Sequence, residues 1–133
     1  MNLDILMLFD KVPGTLPLYE ELEKRITKGF PNVTVKVKAT QVSFYNTHAF
    51  AWAWPPFRKR KGWPDVYMLV TFGLDHQLVH PRIVESVESY PNRWTHHVIV
   101  QNADEIDDQL MSWIGESYQF SLSKKRNKYE RQP

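Results

Sequence analysis

From Val33 onward the chain alternates. Val33, Val35, Val37 and Ala39 are apolar, and Thr34, Lys36, Lys38 and Thr40 between them are polar. A period of two places the sets on opposite faces, so the stretch predicts a half-buried β-strand. Upstream the period is helical. Leu3, Ile5, Leu6, Met7 and Leu8 follow Asn2 and Asp4, either of which can cap a short first helix. Val12-Pro-Gly-Thr15 breaks it, and Thr15 is expected to cap a second helix with Pro17 in its first turn. Leu18, Tyr19, Leu22 and Ile26 form that helix's apolar face; Gly29 is expected to stop it, and Pro31 prevents a restart.

Downstream, Gln41 to Tyr45 and His48 to Trp54 read as a hairpin around Asn46-Thr47. In the second of these strands Phe50, Trp52 and Trp54 alternate with Ala49, Ala51 and Ala53, giving one bulky face and one that lets a helix approach closely. Pro55 to Pro64 is a proline-bounded basic loop, unable to form a central strand. Asp65 to Gly73 is the next strand, with Val66, Met68, Val70 and Phe72 facing one way and Tyr67, Leu69 and Thr71 the other. Arg82 to Glu88 and Trp94 to Val100 form a second hairpin through Tyr90-Pro-Asn-Arg93, although Ile83, Val84 and Val87 also suit a helical turn. Asn102 is expected to cap the last helix, whose apolar face is Ile106, Leu110, Trp113, Ile114 and Tyr118. Asp104, Glu105, Asp107 and Asp108 suit the positive end of its dipole. The expected class is α+β: a mainly antiparallel sheet of about six strands, two N-terminal helices and one C-terminal helix. Residues 1–121 are expected to form one domain, and 122–133 a basic, disordered tail.

Several short motifs in this order resemble a known family. They are Thr40-Gln-Val-Ser-Phe-Tyr45, Phe50-Ala51, Tyr67 to Leu74, Pro81-Arg-Ile83, Asn92 to Val98 and Asp107 to Tyr118. Over Leu16 to Tyr118 the chain resembles the prokaryotic family known as domain of unknown function 5655. The resemblance implies an α+β fold and carries no reaction, cofactor or catalytic residue with it.

Charge adds a second feature. Arg58, Lys59, Arg60 and Lys61 cluster in the loop, and Lys124, Lys125, Arg126, Lys128 and Arg131 stand in the tail against Glu130. These two segments hold a net +8, and the remainder −6, of the total +2. Such segments solvate a surface, or bind nucleic acid through its phosphates. With Trp54, Phe57 and Trp63 beside its cations, the loop is a candidate interaction element able to stack on rings. The absence of cysteine excludes a disulfide scaffold, thiolate zinc sites and a Cys nucleophile, and fits the reducing cytoplasm. Met-Asn-Leu-Asp lacks the basic opening of a signal peptide. No apolar run approaches the ~20 residues needed to cross a bilayer, and no membrane partner is expected.

Motif chemistry is sparse. His96 and His97 are neighbours on a strand and point to opposite faces, so they cannot chelate one ion; no metal is expected. No Gly-x-Ser-x-Gly elbow and no phosphate-cradling glycine loop occurs, so no cofactor is expected. The alternation does gather a polar set on the sheet face away from the core: Lys38, Ser43, Tyr45, Tyr67, Arg82 and His97. Its best reading is a non-catalytic binding module for an anionic small molecule or a macromolecular partner. One alternative is an enzyme using His97 with Tyr45 or Tyr67 as acid and base. Another is a nucleic-acid module acting through Arg58 to Lys61 and the tail.

Overall fold

Asn2 caps the first helix, its side-chain oxygen accepting from the Asp4 amide at 2.7 Å. The computed structural model describes residues 2–56 and 60–124. Helix α1 spans Leu3–Asp10 and α2 spans Leu16–Gly29. Strands follow at Thr34–Val37 (β1), Val42–Tyr45 (β2), Ala49–Trp54 (β3), Met68–Leu74 (β4), Ile83–Tyr90 (β5) and Arg93–Val100 (β6). A short 3-10 turn, Ala103–Glu105, leads into helix α3, Asp108–Ser123. The six strands make one antiparallel sheet in the order β1-β2-β3-β4-β6-β5. The expected α+β architecture is the observed one. The departure from sequential order is that β6 enters between β4 and β5.

One face of the sheet shares a single core with all three helices. Val42, Phe44, Ala51, Ala53, Val70, Phe72 and Val98 are sealed against Leu22, Ile26, Leu110 and Ile114. The small face of β3 behaves as its alanines suggest, with α3 packed against β3 and β4. Phe9, Tyr19 and Phe44 continue the packing as a column of stacked rings. Val33, Val35 and Val37 pack on the same core but remain half-buried, as an edge strand leaves its residues.

Several local expectations need correction. Thr15 does not cap α2: its backbone is already helical, and its hydroxyl turns back to the carbonyls of Phe9 (2.7 Å) and Val12 (2.8 Å). Helix α2 does end at Gly29, but the left-handed residue comes after it, at Asn32; asparagine tolerates that conformation better than other side chains. Asn102 caps the 3-10 turn, in a capping box with Glu105, while Asp107 caps α3 through the Leu110 amide. Phe50 leaves the Trp52–Trp54 face because a bulge opposite Tyr45 turns its ring onto Phe30 and Tyr118 in the core. Val66 precedes β4 and is 43% exposed, so it does not join Met68, Val70 and Phe72 inside. The 83–90 stretch is a strand, bulged twice against β6, and the helical option falls. Its hairpin turns at Pro91-Asn92, with Asn92 at φ 61° supplying the positive dihedral of a type II turn. Helix α3 runs to Ser123, two residues into the expected tail; residues 125–133 lie outside the described residues. Among the described residues no helix is long and apolar enough to cross a membrane.

Candidate binding site

The outer face of the sheet carries one polar row that crosses all six strands. Strand register aligns Lys36, Ser43, Trp52, Thr71, His97 and Glu85 side by side. One step along the strands, Trp54 pairs with Leu69, and Leu69 with Ile99. Where these rows meet the loop after β3, a cleft of about 220 Å³ opens. Trp54, Trp63 and Tyr67 wall it, with Pro55 and Leu69 as its apolar surface. Arg60, Glu85 and His97 supply its polar edge.

These groups are linked. The Trp54 indole N–H donates to Thr71 Oγ1 at 3.0 Å, and Thr71 Oγ1 lies 2.8 Å from His97 Nδ1. The hydroxyl accepts from Trp54 and keeps a second lone pair and its own proton, so it pairs with Nδ1 in either tautomer of the ring. Nε2 faces Glu85 Oε1 at 3.8 Å, an ion-pair distance too long for a hydrogen bond. Glu85 Oε1 in turn meets Arg60 Nη1 at 3.3 Å. The Arg60 guanidinium also lies 4.8 Å above the Trp63 ring, and that ring meets Tyr67 edge to face at 5.7 Å. Burial pushes the His97 pKa below the usual histidine value; Glu85 opposes that shift and Arg60 reinforces it. Burial likewise raises the Tyr67 phenol, with Arg60 acting against it. At neutral pH the cleft therefore holds a neutral imidazole, a neutral phenol and one balanced ion pair. That pair is about two-fifths exposed on each side, where such bridges contribute about 0–1 kcal/mol. It can be exchanged cheaply.

The six residues grouped from sequence do not form one site. Tyr67 and His97 share the cleft, and Trp54, Arg60 and Trp63 of the candidate loop join them. Ser43 stands in the polar row but is sealed at 1% exposure, with Trp52 between it and Thr71. Tyr45 lies at the opposite end of β2 from the cleft, under the Lys36 ammonium at 4.4 Å. Lys38 lies past the end of β1 and lines a groove beside α1 with Met7 and Leu8. Arg82 is a structural tie: Nη1 meets both Asp107 carboxylate oxygens at 2.9 and 3.1 Å, and Nη2 donates to the Glu105 carbonyl at 2.7 Å. Burial works against ionising Asp107, yet the Leu110 amide and Arg82 together hold its carboxyl below the usual range. Of the loop candidates, Lys61 is exposed, while Phe57, Arg58 and Lys59 lie outside the described residues.

Thr71 and Glu85 are the participants that sequence reasoning missed. Thr71 was placed on the right face by alternation with Tyr67 and Leu69. Glu85 needed the bulged β5–β6 register. His96, on the core face, stacks on Phe72 and accepts the Leu78 amide at Nε2 (2.8 Å). Among the described residues no group of three His, Cys, Asp or Glu side chains is placed to hold a metal ion.

No curated protein and no solved structure matches the chain. A family model does, over residues 8–121, which is most of the chain. The chain is therefore a member of the family described as domain of unknown function (DUF5655).

Proposed function

We propose that the protein is a non-catalytic binding module whose ligand enters the outer-face cleft and presents an anionic group to Arg60. The observation that carries this reading is the composition of the cleft: three aromatic side chains around an apolar surface, with Arg60, Glu85 and His97 converging at one edge. Sites of this make-up take flat apolar groups and orient them with a few polar contacts. The volume is below the roughly 300–1,000 Å³ of pockets that enclose a drug-sized molecule. It suits one ring, either as a small ligand or as the protruding group of a macromolecular partner. The cysteine-free sequence supports a reducing, cytoplasmic setting.

A second reading, an acid–base enzyme, is favoured by the Thr71–His97–Glu85 alignment, which orients a neutral imidazole toward the cleft beside Tyr67. Tyr45 has no part in it, since it lies away from the cleft.

The test is a titration of the full chain with a panel of aromatic anions, their neutral analogues and a single-stranded oligonucleotide, followed by tryptophan fluorescence. Trp54 and Trp63 report on the cleft directly. Binding that weakens at least tenfold in Trp63→Ala supports the module. Chemical conversion of a bound compound, lost in His97→Gln, would move the reading to the enzyme. Oligonucleotide binding that falls steeply with salt would identify a nucleic-acid module. A panel that leaves the fluorescence unchanged removes the binding reading.

A further inference from the structure

Resting on that binding reading, we propose that the ligand is a single aromatic ring bearing one carboxylate, bound by replacing Glu85 on Arg60. Glu85 then passes to His97, which takes a proton from solvent. Binding is thereby coupled to the uptake of one proton.

Glu85 is itself the template for the ligand's anion. Its carboxylate already rests 3.3 Å from Arg60 Nη1, and the guanidinium lies against the Trp63 ring. A ligand carboxylate reaching the same guanidinium brings its attached ring among Trp54, Trp63 and Tyr67. The guanidinium fork matches a planar carboxylate, and about 220 Å³ leaves room for one ring rather than a larger scaffold.

The proton follows from charge balance. The free cleft holds Arg60 and Glu85, which cancel; an added carboxylate leaves one uncompensated negative charge in a half-buried site. Beside the His97 imidazole, 17% exposed, that charge favours the protonated ring. Glu85 Oε1 is 3.8 Å from His97 Nε2, so a small side-chain movement pairs it with an imidazolium. The groups facing His97 are Thr71 on β4, Glu85 on β5, and Arg60 and Tyr67 from the loop side; His96 points to the other face of the sheet. Tyr67 stays neutral, so Glu85 and Arg60 alone set the local charge. The exchange strengthens the influence that raises the His97 pKa and cancels the one from Arg60 that lowers it. Thr71 adjusts without moving, because its oxygen can accept from both the Trp54 indole and a protonated Nδ1.

Benzoate, benzamide, acetate and inorganic phosphate are the probes, titrated calorimetrically into the full chain between pH 8 and pH 6. Buffers of different ionisation enthalpy count the protons. Benzoate should bind with proton uptake, its affinity rising by up to about tenfold per pH unit as pH falls, the limit for one linked proton. Benzamide and acetate should bind at least tenfold more weakly. Arg60→Gln should abolish benzoate binding, and His97→Gln should bind benzoate without pH dependence. Benzoate binding that ignores pH and takes up no proton overturns the coupling and leaves the binding module standing. Acetate or phosphate binding as tightly as benzoate overturns the ring-carboxylate class, as does failure of all four probes. Only an inert cleft across the wider panel removes the binding reading itself.

Discussion

Ser117 of helix α3 donates its hydroxyl proton to the Phe50 carbonyl of β3 at 2.6 Å. The same oxygen accepts from the Gly73 amide of β4 at 3.0 Å. The β3–β4 partners begin at Ala51 and Phe72, and a serine 2% exposed to solvent bridges the next two residues, Phe50 and Gly73, from the helix side. Ser117→Ala should cost about 1–3 kcal/mol, because it strands buried backbone groups. Urea unfolding of the variant tests this; an unchanged midpoint would mean that neither group depends on Ser117.

Leu110 is fully buried between α3 and the sheet. Leu110→Ala should lower stability by about 2–5 kcal/mol, through lost burial and the cavity left behind. Chemical denaturation gives the value directly. A change below 1 kcal/mol would place Leu110 outside the shared core.

Asp107 caps α3 and holds Arg82 at once. Asp107→Ala should cost about 1–2 kcal/mol, the usual loss on removing a helix cap. Arg82→Ala should cost less, because the pair is partly exposed. Neither substitution should alter ligand affinity at the cleft. Weakened binding in Arg82→Ala, measured on the folded variant, would return Arg82 to the site.

Stability should fall as the solution is acidified through the histidine range. Burial lowers the pKa of both His96 and His97 in the folded chain. In the unfolded chain each takes up a proton near the ordinary value of about 6.5. Between that value and the lowered folded one the unfolded state binds more protons, so stability drops with falling pH. For His96 the proton would go onto Nε2, which accepts the Leu78 amide, so charging it also breaks that bond. Denaturation midpoints from pH 8 to pH 5 should decline most steeply below about 6.5. A flat profile over this range would contradict the buried neutral state of both rings.

Much of the architecture could be read along the chain because side-chain period is a local property. Alternation at Val33 to Thr40, and four-residue spacing at Leu18, Leu22 and Ile26, each depend on residues only a few positions apart. The Ala51 and Ala53 face, the Leu110 to Tyr118 face and the Pro91 turn were legible for the same reason. The site was not. Which strands pair is decided by burial summed over the whole core, and that sum places β6 between β4 and β5. This brings Thr71, His97 and Glu85 into one row, and a bulge sets the register of Glu85. Arg82 lies just before β5, the strand of Glu85, and is held by Asp107 at the start of α3, while Lys38 slips out of alternation where β1 ends. Arg60 and Trp63 line one cleft with His97, a gathering of residues far apart in sequence that no local pattern encodes. Period depends on neighbours in the chain, whereas the cleft depends on neighbours in space.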